Sequence, residues 1–243
     1  MLFGFFFGDW TLILLVAAMI FAFVAQYKVK STFNRYNRVN NQSGLSGAEA
    51  ARRILDSNGL YHVRVEFVRG QLTDHYDPRQ NVVRLSESTY SSRSVAAVGV
   101  AAHEAGHAVQ YAQNYAPIRL RTAIIPATSI GSKLSMPLIL IGILLTSMSY
   151  DPTIGLYAML AGIVLFSLST FFQLVTLPVE FNASARAMKA LKEHRILVGS
   201  DIAGAKATLK AAAMTYVAAL ATSLAYLLRY ILIFMGASGR RRN

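Results

Sequence analysis

The chain contains no cysteine. That excludes a thiol nucleophile, thiolate metal ligands and any disulfide framework, and it fits a reducing compartment. Acidic residues are also scarce, with 12 Asp and Glu against 24 Lys and Arg, for a formal charge of +12. Such an excess suits nucleic acid or an anionic membrane surface. No basic helix, aromatic-interleaved strand or nucleic-acid motif accompanies it, so no nucleic-acid partner is expected. Anionic lipid headgroups account for the same charge. Charged residues of every kind make up only 15% of the chain, hydrophobic residues reach 54%, and mean hydropathy is +0.39. A single soluble domain of 243 residues does not need so little charge.

The charge that exists is clustered at 28–53, 64–93, 119–133 and 186–210, and the stretches between are nearly uncharged. Trp10 to Tyr27 is apolar and runs into Lys28 and Lys30 behind an aromatic start, Phe3 through Phe7. It reads as an uncleaved anchor rather than a signal peptide, because no Lys or Arg precedes it and no small-residue cleavage site follows. Leu134–Met148, with a possible start near Ile124 and kinks at Pro126 and Pro137, and Ile154–Leu177 are separated by Ser149-Tyr150-Asp151-Pro152-Thr153. Asp-Pro is a turn signal, so the pair reads as a hairpin across the bilayer. Ala211 to Met235 is a fourth apolar run, with Arg229 inside it. Two readings stand for it: a full span, or a helix that packs first in the soluble part and enters the membrane from Leu224, with Arg229 reaching an interface.

Lys28, Lys30, Arg35 and Arg38 follow the first span, while only Asp9 precedes it. The positive-inside rule then places the amino terminus outside and residue 28 onward in the cytoplasm. Arg119, Arg121 and Lys133 before the hairpin agree with Arg186, Lys189, Lys192 and Arg195 after it. Arg240-Arg241-Arg242 agrees only if the last apolar run does not cross.

Histidine is rare as well, at five residues, yet two of them stand in His103-Glu104-Ala105-Gly106-His107. On a helix they fall at i and i+4, one turn apart on one face, where both imidazoles reach one metal ion. Glu104 lies beside His103, placed as general base on a metal-bound water. Val100, Ala101, Ala102, Ala108 and Val109 make the surroundings small and apolar, and Ser92 and Ser94 offer N-caps. A catalytic zinc takes three protein ligands and leaves one position open. Among the later carboxylates, Asp151 falls in the outer turn, and Glu193 and Asp201 look like solvated charges. Glu180 follows Pro178 and opens a run of small residues, Asn182-Ala183-Ser184-Ala185, that would let its helix lie close to the motif helix. It reads either as the third ligand or as a carboxylate complementing a helix dipole.

Upstream, Ser46-Gly47-Ala48-Glu49 opens a capped helix through Leu55 that ends at Asn58-Gly59. Val63–Val68 alternates as a strand, and Asn81–Ser86 is a second one that could pair with it as a hairpin. His75 stands between them, either donating to a developing oxyanion or capping the Asp74/Asp77 turn. Arg186 is a possible electrostatic stabiliser or a headgroup contact.

Taken together, Leu72–Pro78, Val98–Gln110 and Leu177–Ser184 resemble the integral-membrane gluzincins, a layout shared by HtpX-type heat-shock proteases and CAAX prenyl endopeptidases. The likeness is closer to the YugP-type neutral zinc metallopeptidases of bacterial membranes, and it spans essentially the whole chain. The resemblance implies one catalytic zinc, endopeptidase chemistry, Glu180 as third ligand, and a location in the bacterial cell membrane. By the same resemblance, Val82, Val83, Arg84 and Leu85 are the candidate edge for pairing with extended substrate, against the reading of an ordinary half-buried strand. HtpX-type enzymes place an Asp four residues after the ligand Glu, where this chain has Ser184. Ser184 or Asn182 is then the candidate partner of a ligand histidine.

The expected architecture is a mainly α integral membrane protein with a small zincin-like α+β catalytic part and a short sheet. Its segments are an anchor at 1–29, a cytoplasmic catalytic part at 30–122, a membrane hairpin at 123–178, the helix with the third ligand at 179–210, and an apolar helix with a basic tail at 211–243. Three function classes remain: a membrane-anchored zinc endopeptidase acting on membrane or misfolded proteins, a non-catalytic scaffold or chaperone that keeps the zinc, and a zinc amidase acting on a small or lipid-linked substrate. Glu104 argues against the scaffold, because binding zinc does not require it.

Overall fold

The computed structural model describes residues 10–148 and 151–239. Phe3–Phe7, Asp9, Ser149, Tyr150 and the terminal arginines, on which parts of the topology reading rest, lie outside the described residues. Among the described residues six helices and three strands follow in order: α1 (Trp10–Tyr36), α2 (Gly47–Ser57), β1 (Arg64–Val68), β2 (His75–Asp77), β3 (Val82–Ser86), α3 (Val95–Ala112), α4 (Ala116–Met148), α5 (Thr153–Glu193) and α6 (Ser200–Gly239). The protein is mainly α with a small sheet, as expected. Helices α1, α4, α5 and α6 are each long and apolar enough to cross a membrane.

The chain divides into two compact units. One consists of Met1–Phe23, Leu120–Thr176 and Tyr216–Asn243. Its core gathers Ile139, Met159, Ile163, Tyr230 and Ile233. Small residues set the approach of α4 to α5: a Cβ on Gly155 would lie 2.6 Å from the Thr146 nitrogen, and one on Gly162 would lie 2.8 Å from the Ser135 carbonyl. Close backbone approach through glycine is how apolar helices associate without a hydrophobic driving force. Most of this unit's large apolar side chains face outward, including Ile13, Phe23, Ile141 and Leu144. Arg229 does not reach an interface. It is buried at 6% exposure, and its Nη1 donates to Thr11 Oγ1 at 2.9 Å. A cation among apolar helices needs such acceptors, and packing between helices supplies them.

The second unit consists of Val24–Arg119 and Leu177–Thr215. Its core joins Ile54 and Leu55 of α2, Val83 and Leu85 of β3, Val98, Ala101 and Ala105 of α3, Leu191 of α5 and Leu209 of α6. Each fully buried Leu or Ile there contributes about 1.5–3 kcal/mol of transfer free energy. The capped start of α2 is present: Ser46 Oγ accepts from the Glu49 N–H at 3.3 Å, and a Glu49 carboxylate oxygen accepts from the Ser46 N–H at 2.7 Å. Helix α3 is capped by Ser94, which accepts from the Ala97 N–H at 3.1 Å.

Three sequence expectations fail in this unit. The first is the hairpin. β1 and β3 pair in parallel, β2 adds antiparallel to β3, and the order is β1-β3-β2. Val82, Val83, Arg84 and Leu85 therefore form the central strand and not a substrate edge. β1 faces them on one side, while His75, Tyr76 and Asp77 take the other side of Arg84, Val83 and Val82. Val82, Val83 and Leu85 are fully buried, so both faces of β3 are covered as well. The free edges belong to β1 and β2.

The second is the start of the Glu180 helix. Helix α5 runs without a break from Thr153 through Pro178 to Glu193, so Glu180 sits mid-helix rather than at an amino terminus. No free N–H groups surround a mid-helix position, and the dipole reading of Glu180 falls with it. Asp201 is also not a solvated charge. It is 5% exposed and accepts from the Gln42 N–H at 2.8 Å, whereas Glu193 stays exposed beside Lys189.

Candidate metal centre

The motif helix α3 is buried along most of its length, and small residues make that possible. A Cβ on Gly106 would lie 2.8 Å from the Ala183 carbonyl oxygen, so α3 and α5 touch backbone to side between the two motif histidines. The run Asn182-Ala183-Ser184-Ala185 brings α5 that close. As a result Glu180 faces both imidazoles.

Glu180 Oε2 lies 3.2 Å from His103 Nε2 and 3.6 Å from His107 Nε2. The rings stand edge to face with centroids 4.7 Å apart. Ligand atoms of the three residues all fall within 4.8 Å of one another, and among the described residues no other set of three His, Cys, Asp or Glu does so. Glu180 is 3% exposed and His107 9%.

The far side of each ring is also held. Gln110, fully buried, places its Oε1 2.9 Å from His107 Nδ1. Its Nε2 donates to the Val179 carbonyl at 2.8 Å and to Asn182 Oδ1 at 2.9 Å. A carbonyl only accepts, so the Val179 contact settles which end of the Gln110 amide is the NH2. The oxygen that remains then requires a proton on His107 Nδ1, which leaves the Nε2 lone pair facing Glu180. Ser184 Oγ occupies the corresponding place 3.2 Å from His103 Nδ1.

Two imidazole Nε2 atoms and a carboxylate oxygen thus converge on one point. A carboxylate in so buried a place needs a cation beside it, and a divalent ion with nitrogen and oxygen ligands fits. A proton plays that part in the bare protein. Burial alone would push the His107 pKa down, but its bond to Glu180 and the charges of Glu104 and Glu180 hold it above the ordinary value. Burial pushes Glu180 the other way, and the hydrogen bonds and charges of His103 and His107 outweigh it, leaving the carboxyl well below the usual range. Glu104 is buried in α3 at 9% exposure, next to His103 in the chain.

The remaining sequence candidates lie at varying remove. Asn182 touches neither histidine and acts on Gln110. Arg186 donates from Nε to Asn182 Oδ1 at 2.7 Å and from Nη1 to Gln113 Oε1 at 2.5 Å, and it stacks over Tyr115. His75 is exposed at the start of β2, with Nδ1 2.8 Å from the Thr73 carbonyl, a bond local to its own turn. Asp77 caps the next turn, between β2 and β3, by accepting from the Arg79 and Gln80 N–H groups. Gln110 is the member that sequence reasoning passed over. Its signal was available, since it follows His107 by three residues on the same face of a buried helix.

A membrane protein of Bacillus subtilis (strain 168) named "Putative membrane protease YugP" is 50% identical over 230 residues, 95% of this chain and 98% of that one. No solved structure matches. The family model described as "Putative neutral zinc metallopeptidase" matches residues 11–235, and the chain belongs to that family.

Proposed function

We propose that the protein is a membrane-anchored zinc endopeptidase of the gluzincin type, with His103, His107 and Glu180 as ligands and Glu104 as general base. The observation that carries this reading is the convergence of the two Nε2 atoms and the Glu180 carboxylate beside a glutamate that no ligand set needs. Zinc held by His103, His107 and Glu180 would supply the positive charge that lowers the pKa of a water towards about 7 and polarises a scissile carbonyl. Glu104 would accept a proton from water there and return it to the departing amine. Ser184 and Gln110 keep the two imidazoles turned inward. The substrate is a polypeptide, and the apolar helices direct the enzyme to membrane proteins and their misfolded forms at the membrane surface, a quality-control role.

The Lys and Arg flanks support a site on the cytoplasmic side of a bacterial cell membrane, by the positive-inside rule. Tyr27, Lys30, Ser31, Asn34 and Arg35 of α1, with Arg38 just past its end, surround a cavity of about 630 Å³ that suits anionic headgroups. Extended substrate would add to the open edge of β2, whose Tyr76 packs 5.5 Å from Tyr111 of the motif helix.

The test is hydrolysis of an unfolded protein by the purified full chain. Glu104→Gln should retain zinc and lose about two to four orders of magnitude in rate. Cleavage at the wild-type rate by that variant sinks the mechanism. A wild-type protein that cleaves small amides and no polypeptide would move it to another class of hydrolase.

A further inference from the structure

The bonds behind the two histidines are made without any carboxylate. In many zinc sites a ligand histidine passes its second N–H to an Asp or Glu, which fixes the ring and raises its basicity. Here His107 meets the carbonyl end of a neutral amide. Gln110 is anchored in turn at two places, the Val179 carbonyl and Asn182, and Asn182 is itself held by Arg186, whose other contacts are Gln113 and Tyr115. Val179 and Asn182 flank Glu180 by one and two residues, so the same amide that holds His107 also grips the stretch of α5 bearing the carboxylate.

Resting on the zinc-site reading above, we propose that Gln110 is the positioning residue of this centre. It holds His107 in the Nδ1–H tautomer and couples the His107 ring to the Glu180 turn through the chain His107, Gln110, Asn182, Arg186. The direction of every bond in that chain is fixed. His107 Nδ1 donates to Gln110 Oε1, Gln110 Nε2 donates to Asn182 Oδ1, and Arg186 Nε donates to the same oxygen. Asn182 Oδ1 receives two donors, so its amide cannot turn over without breaking both. Removing the acceptor on Gln110 frees His107 to rotate or to move its proton to Nε2, where it opposes metal binding.

Two substitutions separate positioning from mere packing. Gln110→Met keeps length and volume and removes both the acceptor and the donors. Gln110→Glu keeps an acceptor for His107 and removes the donors to Val179 and Asn182. A packing role makes Glu the worse of the two, because it buries a charge against two acceptor oxygens. A positioning role makes Met the worse for zinc, because only Glu still receives the His107 proton. Zinc affinity of the purified full chain is measured by competition with a chelator, beside the melting temperature of the zinc-free protein and the absorption bands of the cobalt(II)-loaded form.

The expected result is zinc binding about 10–100-fold weaker in Gln110→Met, with shifted cobalt bands. Gln110→Glu should bind zinc at least as tightly as wild type, even where its zinc-free form melts lower. Asn182→Ala, which leaves the Val179 bond in place, should fall between Met and wild type. Wild-type affinity and unshifted cobalt bands in Gln110→Met overturn the proposal, as does a Glu variant that binds zinc no better than Met. A wild-type chain that binds no zinc at all overturns the zinc-site reading itself, and the proposal with it.

Discussion

Gly106 is where the packing of the two helices and the geometry of the centre can be set against each other. Gly106→Ala adds one methyl group, placed 2.8 Å from the Ala183 carbonyl oxygen. Carbon to carbonyl oxygen contacts settle near 3.3–3.6 Å, so α3 and α5 must part by roughly 0.5 Å. Two effects on stability then oppose each other. Alanine gains about 1 kcal/mol of helix propensity over glycine, and overpacking costs about 1–3 kcal/mol. The net change in folding is therefore a small loss, about 0–2 kcal/mol. Metal binding has no such compensation. Ligand distances in a zinc site are tolerated to about ±0.2 Å, and the displaced helix carries Glu180 three residues from the contact. Zinc affinity should drop at least tenfold while the protein stays folded. Gly99→Ala on the same helix is the control, because its Cβ would meet Ala205 at an ordinary 3.4 Å. That variant should melt no lower than wild type and bind zinc normally. The assay is zinc stoichiometry in a chelator-buffered series, read beside thermal melting. Wild-type zinc affinity in Gly106→Ala would refute the claim that this contact sets the distance between Glu180 and the histidines.

Three further outcomes are expected. Alanine at His103, His107 or Glu180 should abolish stoichiometric zinc, whereas alanine at His75 or Glu193 should leave it intact; the reverse pattern, read by metal analysis, means a different third ligand. In the zinc-free protein, the lowered Glu180 pKa contributes stability that is full above about pH 4.5 and lost as pH falls towards its folded value, and the raised His107 pKa contributes stability that is full below about pH 6.5 and lost as pH rises through its higher folded value. Melting temperature should peak between those values without zinc, and adding zinc should remove the decline on the alkaline side. Finally, since the chain has no native thiol, a cysteine placed at Thr153 should react with an impermeant reagent on intact cells, and one at Ser46 or Ser88 should react only after the membrane is opened.

What the sequence disclosed and what it hid divide along physical lines. Helix signals are local. Ser46 with Glu49 and Ser94 with Ala97 announce their caps within three residues, and the apolar runs announce their length. The histidine spacing is local too, and the small residues after Glu180 carried the helix contact later found at Gly106. Strand order is not local. β2 is three residues, His75-Tyr76-Asp77, with no apolar alternation, so nothing marked it as the partner that would cover β3. Once β2 is overlooked, the two apolar strands look like a hairpin, and the central strand looks like an edge. Pro178 misled in the opposite sense. Proline before a new pattern reads as a helix boundary, yet α5 passes through it. Gln110 escaped notice because a buried amide in an apolar helix declares no chemistry until its partners, 69 and 72 residues away, are in place.

The distance along the chain between the motif and Glu180 has a consequence for biosynthesis. His103 and Glu180 are 77 residues apart, and the apolar segments of α4 and α5 are made between them. At about 5–20 residues per second, several seconds pass between the emergence of the two histidines and that of the carboxylate that joins them. A nascent chain carries the motif throughout that interval with only two of the three donors. The three donors can come together only after the hydrophobic hairpin has left the ribosome, so the centre forms no earlier than the apolar segments that lie between its parts.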